Sequence, residues 1–199
     1  MTETPILGLT GPTGSGKGLL AAWFAARGAA VIDCDRLSRE VTQAGSPCLQ
    51  ELVAAFSEEI LCADGSLDRA ALARRAFASD AARQTLNRIT HPHILALARK
   101  RAQEAIAAGV PLVVMDAPTL FESGLDADCS HTAAVLAPQE MRLRRILQRD
   151  GLTEDAAKQR MAAQPNDTFY RERAKTVFCN DGTPSDLYRQ AEEWWACTL

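Results

Sequence analysis

The residues best suited to chemistry form one short run, Gly11-Pro12-Thr13-Gly14-Ser15-Gly16-Lys17. Glycines at these spacings let a backbone curl until successive N–H groups face one point, which makes an anion cradle. A lysine at the end adds a mobile point charge for the outer phosphates of a nucleotide. The run fits the G-x-x-x-x-G-K part of a phosphate-binding loop. It makes Gly11, Gly14, Ser15, Gly16, Lys17, Gly18 and Leu19 candidate nucleotide contacts. The plain alternative is a glycine-rich turn with a surface lysine, and the strand before and helix after the run argue against it. Position 18 departs from the motif. A Ser or Thr hydroxyl there commonly ligates Mg²⁺, whereas Gly18 and Leu19 offer no side-chain oxygen. A magnesium ion would then depend on water, phosphate oxygens and carboxylates.

Two acids stand where such carboxylates are useful. Asp35, in Asp33-Cys34-Asp35, follows a predicted second strand, and ligands of open α/β sheets bind beyond the carboxyl ends of strands. A carboxylate there could take a proton from an attacking hydroxyl, or it could cap the next helix, and position alone does not choose. Asp116 ends the apolar run Pro111–Asp116, where it could hold Mg²⁺ or bond loop amides. Arg142, Arg144, Arg145 and Arg149 crowd one predicted helix, with 142, 145 and 149 on one face. That face could close over a triphosphate, although an arginine-rich helix is usually a solvated surface.

These residues need elements to hold them. Ile6–Thr10 reads as a buried strand, followed by the loop, an alanine-rich helix to Arg27 with Gly28 as its stop, and a strand over 30–33. Further strands are expected at 111–116, 132–136 and 177–179. Pro138 starts the arginine-rich helix, Thr153 caps another, and a last helix covers 185–196. Between Asp35 and Ala108 the pattern is helical. Pro47 opens one helix, Asp64-Gly65 marks a turn, Asp68 caps a second helix, and His91-Pro92 is expected to break the chain before a long helix reaching Gly109. About seventy residues of helix between strands exceed what a crossover needs, which suggests a helical substrate-binding insertion. The fold class is α/β, a parallel sheet of about five strands with helices on both faces.

Composition agrees with that class. The chain has 199 residues, 47 % hydrophobic, with a formal net charge of −3. Such a balance suits one compact domain with a full core and gives no pull toward nucleic acid or an anionic membrane. The six cysteines are scattered without a CxxC pair, which points to reduced thiols and no zinc site. The absence of a leader-like segment and of any apolar run of about 20 residues makes a cytoplasmic location the expectation.

Beyond the loop, successive blocks resemble the dephospho-CoA kinase family: GLTGPTGSGKG, VIDCDRLSREV, AGSPCLQEL, DGSLDRAALARRAF, LNRITHPHI, VVMDAPTLFESG, RLRRILQRDGLT, MAAQ and VFCNDG. They occur in the family's order and cover nearly the whole chain. The VIDCD and ITHP blocks are more specific than the loop itself. The resemblance implies a P-loop NTPase three-layer fold, with a core over about 1–34, 109–140 and 174–199. It also implies a CoA-binding insertion over about 35–108 and a small helical lid over about 141–173. It implies ATP and Mg²⁺ as cofactors, and dephospho-CoA phosphorylated on its ribose 3′-hydroxyl in the last step of CoA synthesis. By the same likeness Asp35 is the base, Lys17 and Arg145 serve the phosphates, and Asn180 lies near the adenine. Arg39, His91 and Pro92 shape the acceptor side, with a structural role for His91 equally open. Removing Arg145 is expected to slow turnover and spare ATP binding. Pro12, Thr13, Gly18-Leu19, Thr119 and Lys175 depart from the family's usual residues. Two other readings stand beside this one. The first is a different P-loop kinase, of the nucleoside or shikimate type; the second is a nucleotide-binding protein without catalysis. A GTPase is disfavoured, since neither an N-K-x-D nor a D-x-x-G motif occurs.

Overall fold

The computed structural model describes residues 4–199. The chain forms two compact units, one built from residues through Ile32 with Glu104–Leu199, the other from Asp33–Gln103.

The first unit carries the sheet. Its strands are β1 (Ile6–Thr10), β2 (Ala30–Asp33), β3 (Val113–Asp116), β4 (His131–Leu136) and β5 (Thr176–Cys179), in the order β2-β3-β1-β4-β5. β1 pairs in parallel with β3 on one side and β4 on the other. This is the arrangement expected of a P-loop α/β fold, with the first and third strands side by side. β3 starts two residues later than the expected run: Leu112 already lends its carbonyl to Ala30 N–H at 2.9 Å, yet only Val113 onward pairs with β1.

Side chains alternate across the sheet as the two-residue period requires. Leu7, Leu9, Ala133 and Val135 point to a core completed by α1 (Lys17–Ala25) and α9 (Pro184–Thr198), with Phe24, Trp194 and Trp195 packed together there. Ala134 and Leu136 point the other way, against Tyr170 of α8 (Asp167–Arg173). Helices therefore cover both faces. α6 (Gln139–Asp150) and α7 (Glu154–Ala162) pack on each other through Ile146, Ala157 and Met161. Thr153 caps α7 by accepting from Ala156 N–H, as its sequence position predicts.

The second unit holds α2 (Cys34–Val41), α3 (Pro47–Phe56), α4 (Arg69–Ala76) and most of α5 (Asp80–Ala107). Leu52, Phe56, Ile60 and Leu72 form its core, with Leu86 and Ile89 of α5 packed against it. Ser46 and Asp68 cap α3 and α4. The expected break at His91-Pro92 does not occur, because α5 runs through Pro92 without interruption. Proline removes one helical hydrogen bond, but the preceding turn is anchored by the Leu86 and Ile89 contacts, so packing overrides the local penalty.

Burial pushes the half-buried His91 imidazole below its ordinary value. The unfolded chain therefore takes up this proton at a higher pH than the folded chain. Stability is complete above the ordinary histidine value and falls as the pH drops through the interval below it. Thermal melts from pH 8 to pH 5 should show a steeper acid loss for the native chain than for His91→Gln. Identical slopes would show that His91 carries none of the dependence.

Candidate nucleotide site

The phosphate loop connects β1 to α1. Gly16 has φ +96°, and a Cβ there would meet the Asn180 side-chain nitrogen at 2.0 Å. Gly14 has φ +78°, and a Cβ there would come within 2.7 Å of the Arg142 carbonyl. Both positions need glycine for backbone conformation and for close approach. Gly18 differs: it sits in the first turn of α1 with open space around the missing Cβ.

Three side chains from distant segments hold the loop. Arg145 Nη1 donates to the carbonyls of Gly14 (3.1 Å) and Ser15 (3.3 Å), and its Nη2 reaches the Asn180 carbonyl and Oδ1. Asn180 is buried and donates from Nδ2 to the Ser15 carbonyl at 2.7 Å. Gln164, in the turn after α7, accepts the Thr13 N–H at 2.8 Å. Lys17 Nζ makes an ion pair with Asp116 Oδ1 at the end of β3. Ser15 Oγ is buried without a protein partner. A cavity of about 390 Å³ opens at this point, lined by Gly14, Gly16, Gly18, Leu19, Arg145, Gln148 and Arg149.

This arrangement fits a nucleotide. The orphaned Ser15 hydroxyl, the curled glycine backbone, the N-terminus of α1, Lys17 and Arg145 converge as donors and positive charge. For a metal the donor set is narrow. Among the described residues no three His, Cys, Asp or Glu side chains come together. Asp116 ends β3 and pairs with Lys17, a setting that suits a hard cation which retains waters and borrows phosphate oxygens.

The structure brings Gly11, Gly14, Ser15, Gly16, Lys17, Asp116, Arg145 and Asn180 into one cluster of the sheet unit. Gly18 and Leu19 follow in α1, with Leu19 exposed. The arginine face does not act as a unit. Arg142 is buried against Asp167 (3.2 Å), Arg149 is exposed and paired with Asp150, and the Arg145 side chain hydrogen-bonds the loop carbonyls. Asp35, Arg39, His91 and Pro92 belong to the helical unit. Asp35 and Arg39 are exposed one turn apart on α2, which places them on one helix face. The cap of α2 is Asp33, whose Oδ1 accepts from Arg36 N–H at 3.1 Å, so Asp35 is relieved of that role. Gln164 escaped the sequence reading. Its block, MAAQ, was visible, but nothing in it told that the side chain would close on Thr13.

A sequence model of the dephospho-CoA kinase family matches residues 5–186. The chain belongs to the dephospho-CoA kinase family. With that it is a kinase, and kinases of this family use ATP. A dephospho-CoA kinase of Mycolicibacterium paratuberculosis is 45 % identical over 95 % of the chain, which spans only 46 % of that relative's length. One from Corynebacterium glutamicum is 40 % identical, with 94 % of both chains covered. A solved structure from Thermus thermophilus superposes with TM-score 0.82 at 33 % identity, covering 100 % of both chains. No helix among the described residues is long and apolar enough to cross a membrane.

Proposed function

We propose that this chain transfers the γ-phosphoryl group of ATP to the ribose 3′-hydroxyl of dephospho-CoA, forming coenzyme A in the last step of its synthesis. The observation that carries this reading is the family match across residues 5–186, joined to a loop whose lysine, arginine and glycines form one anion cradle. Lys17 leaves Asp116 for the β- and γ-phosphates. Gly11, Gly14, Ser15, Gly16, Lys17, Gly18 and Leu19 surround the phosphates, which accept from backbone N–H groups of the loop, and Asn180 sets the loop beside the adenine end. Arg145 neutralises charge that grows during transfer. Asp35 takes the proton from the 3′-hydroxyl as the oxygen attacks phosphorus and the bond to ADP breaks. Arg39, His91 and Pro92 shape the acceptor side of the helical unit, and the segment over about 141–173 serves as lid. Mg²⁺ would be held by Asp116 and waters and would supply positive charge to the phosphate oxygens. Such chemistry belongs in the cytoplasm and needs no nucleic acid and no membrane.

A coupled assay of ADP release tests the reading with dephospho-CoA, adenosine and shikimate side by side. Magnesium-dependent release with dephospho-CoA alone is expected. Release driven by adenosine or shikimate would move the chain to another kinase class. Silence with every acceptor, despite ATP binding, would make it a nucleotide-binding protein without catalysis.

Gly18 bears on the metal. With no hydroxyl at this position, half-maximal rate should need more magnesium than in a P-loop kinase with Ser there. Gly18→Ser should reach half-maximal rate at lower magnesium, with kcat equal or higher. The open space at Gly18 and its place in the helix mean that the new side chain fits without strain. Replacing glycine in a helical turn also removes up to about 1 kcal/mol of helix penalty. An unchanged magnesium curve would show that another oxygen already serves the metal.

A further inference from the structure

Gln164 lies in the turn between α7 and α8, and its place there is fixed on both sides. Its backbone N–H donates to the Met161 carbonyl at 3.2 Å, and Met161 is buried where α6 packs on α7. Pro165 follows with its locked φ, and Asn166 caps α8 by accepting from Phe169 N–H at 3.0 Å. From this anchored position the side chain reaches the phosphate loop, where Gln164 Oε1 accepts the Thr13 N–H at 2.8 Å. That N–H belongs to the same peptide unit as the Pro12 carbonyl, which accepts the Ser15 N–H at 3.1 Å. Pro12–Ser15 is therefore a closed four-residue turn. Gly14, with φ +78°, stands third in it, as a type II turn requires.

We propose that Gln164 is a positioning residue for ATP, one that presets the Pro12–Ser15 turn of the phosphate loop from behind. In a planar trans peptide the N–H and the C=O point in opposite directions. Gln164 holds the N–H end of the Pro12–Thr13 unit, so the carbonyl end is aimed into the turn at Ser15. Arg145 and Asn180 hold the Ser15 carbonyl, which belongs to the peptide unit leaving the turn. The unit entering the turn and the unit leaving it are thus each fixed by a side chain from a distant segment. A loop held in this way has little ordering left to pay when phosphates arrive, which raises affinity. The Thr13 bond is present before, during and after phosphoryl transfer. Its loss therefore falls on ground state and transition state alike, raising KM for ATP and sparing kcat. This role rests on the reading of the loop as an ATP site and holds whichever acceptor the kinase uses.

The test is a double-mutant cycle on the full chain, read by isothermal titration with ATP and magnesium. Gln164→Met keeps the length of the side chain and removes the acceptor. Thr13→Pro removes the donor at the second position of a type II turn, where proline is favoured. Gln164→Met alone should weaken ATP binding by about five- to tenfold, the loss of one hydrogen bond. In the Thr13→Pro background the same change should cost less than about twofold, since the bond is already gone. Steady-state kinetics with dephospho-CoA should show KM for ATP raised by the same factor and kcat within about twofold of the native chain, a split that loss of folded protein does not give. If Thr13→Pro fails to fold, hydrogen exchange at the Thr13 amide carries the comparison. That amide should exchange at least about tenfold faster in Gln164→Met, while the amides of β1 keep their native rates. Equal losses in both backgrounds, unchanged affinity in Gln164→Met, or a Thr13 amide that exchanges at its native rate would overturn the proposal. Failure of the native chain to bind ATP would overturn the nucleotide reading together with this role, and the titration shows that outcome before any variant is compared.

Discussion

Asp35→Asn is expected to lower kcat by about 10²–10⁴-fold, the usual cost of removing a general base, while KM for ATP and for dephospho-CoA changes little. The substitution keeps size and hydrogen bonding and removes only the ability to accept a proton as a carboxylate. Local structure makes this a clean experiment. Asp35 lies in the first turn of α2 with its side chain exposed, and the cap of that helix is Asp33. Helix stability therefore does not depend on Asp35 beyond the modest benefit of a negative charge near an N-terminus, about 0.3–1 kcal/mol. Asp33→Asn serves as the control, since asparagine caps about as well as aspartate and should leave turnover nearly intact. Two outcomes reverse the assignment. Retained kcat in Asp35→Asn would make Asp35 a positioning group, and a severe Asp33→Asn variant would move the proton acceptor back by two residues.

How far sequence alone could see depends on how local each feature is. The loop was legible because its chemistry is contiguous: the glycines, the lysine and the strand and helix around them fall within twenty residues, and backbone conformation follows from residue type. The parallel pairing of β1 with β3 was legible through their buried runs, whereas the place of β4 on the other side of β1 was not. The contacts that hold the loop were not. Asn180 reaches Ser15 across 165 positions and Gln164 reaches Thr13 across 151, and amide side chains carry no periodic signal of such partners. The arginine helix shows the same limit from the other side. Spacing put Arg142, Arg145 and Arg149 on one face, but burial divided them, because Arg142 is buried and paired with Asp167 of α8 while Arg149 stays in solvent. At His91-Pro92 local chemistry predicted a break, and long-range packing of α5 prevented it. The choice at Asp33 and Asp35 needed only one hydrogen bond to settle the cap, a detail below the resolution of a helix-start rule.

Arg145→Ala should reduce kcat by about 10²–10³-fold, the scale of losing one donor aimed at developing charge. The structure also changes what is expected of ATP binding. On sequence alone Arg145 was a lid residue whose loss would spare the nucleotide. In the folded chain its guanidinium already bonds the Gly14 and Ser15 carbonyls and Asn180. The Ser15 carbonyl accepts from Arg145 and from Asn180 Nδ2 together. In a planar trans peptide the carbonyl and the following N–H point in opposite directions, so holding the Ser15 carbonyl on the Arg145 side turns the Gly16 N–H to the other. Arg145 thus fixes the direction of a donor that meets phosphate, in addition to supplying its own charge. Its removal should therefore weaken ATP binding by about tenfold as well, since a hydrogen bond to a charged group is worth about 1.5–3 kcal/mol. Arg145→Lys keeps the charge but cannot reach Ser15 and Asn180 at once, so it should recover part of kcat and little of the affinity. Isothermal titration with ATP, read beside steady-state kinetics, separates the two contributions. A fall in kcat with ATP affinity unchanged would assign Arg145 to the transferring phosphoryl group alone. An affinity loss with kcat intact would make it a brace for the loop, and the charge that grows during transfer would then have to be met by Lys17.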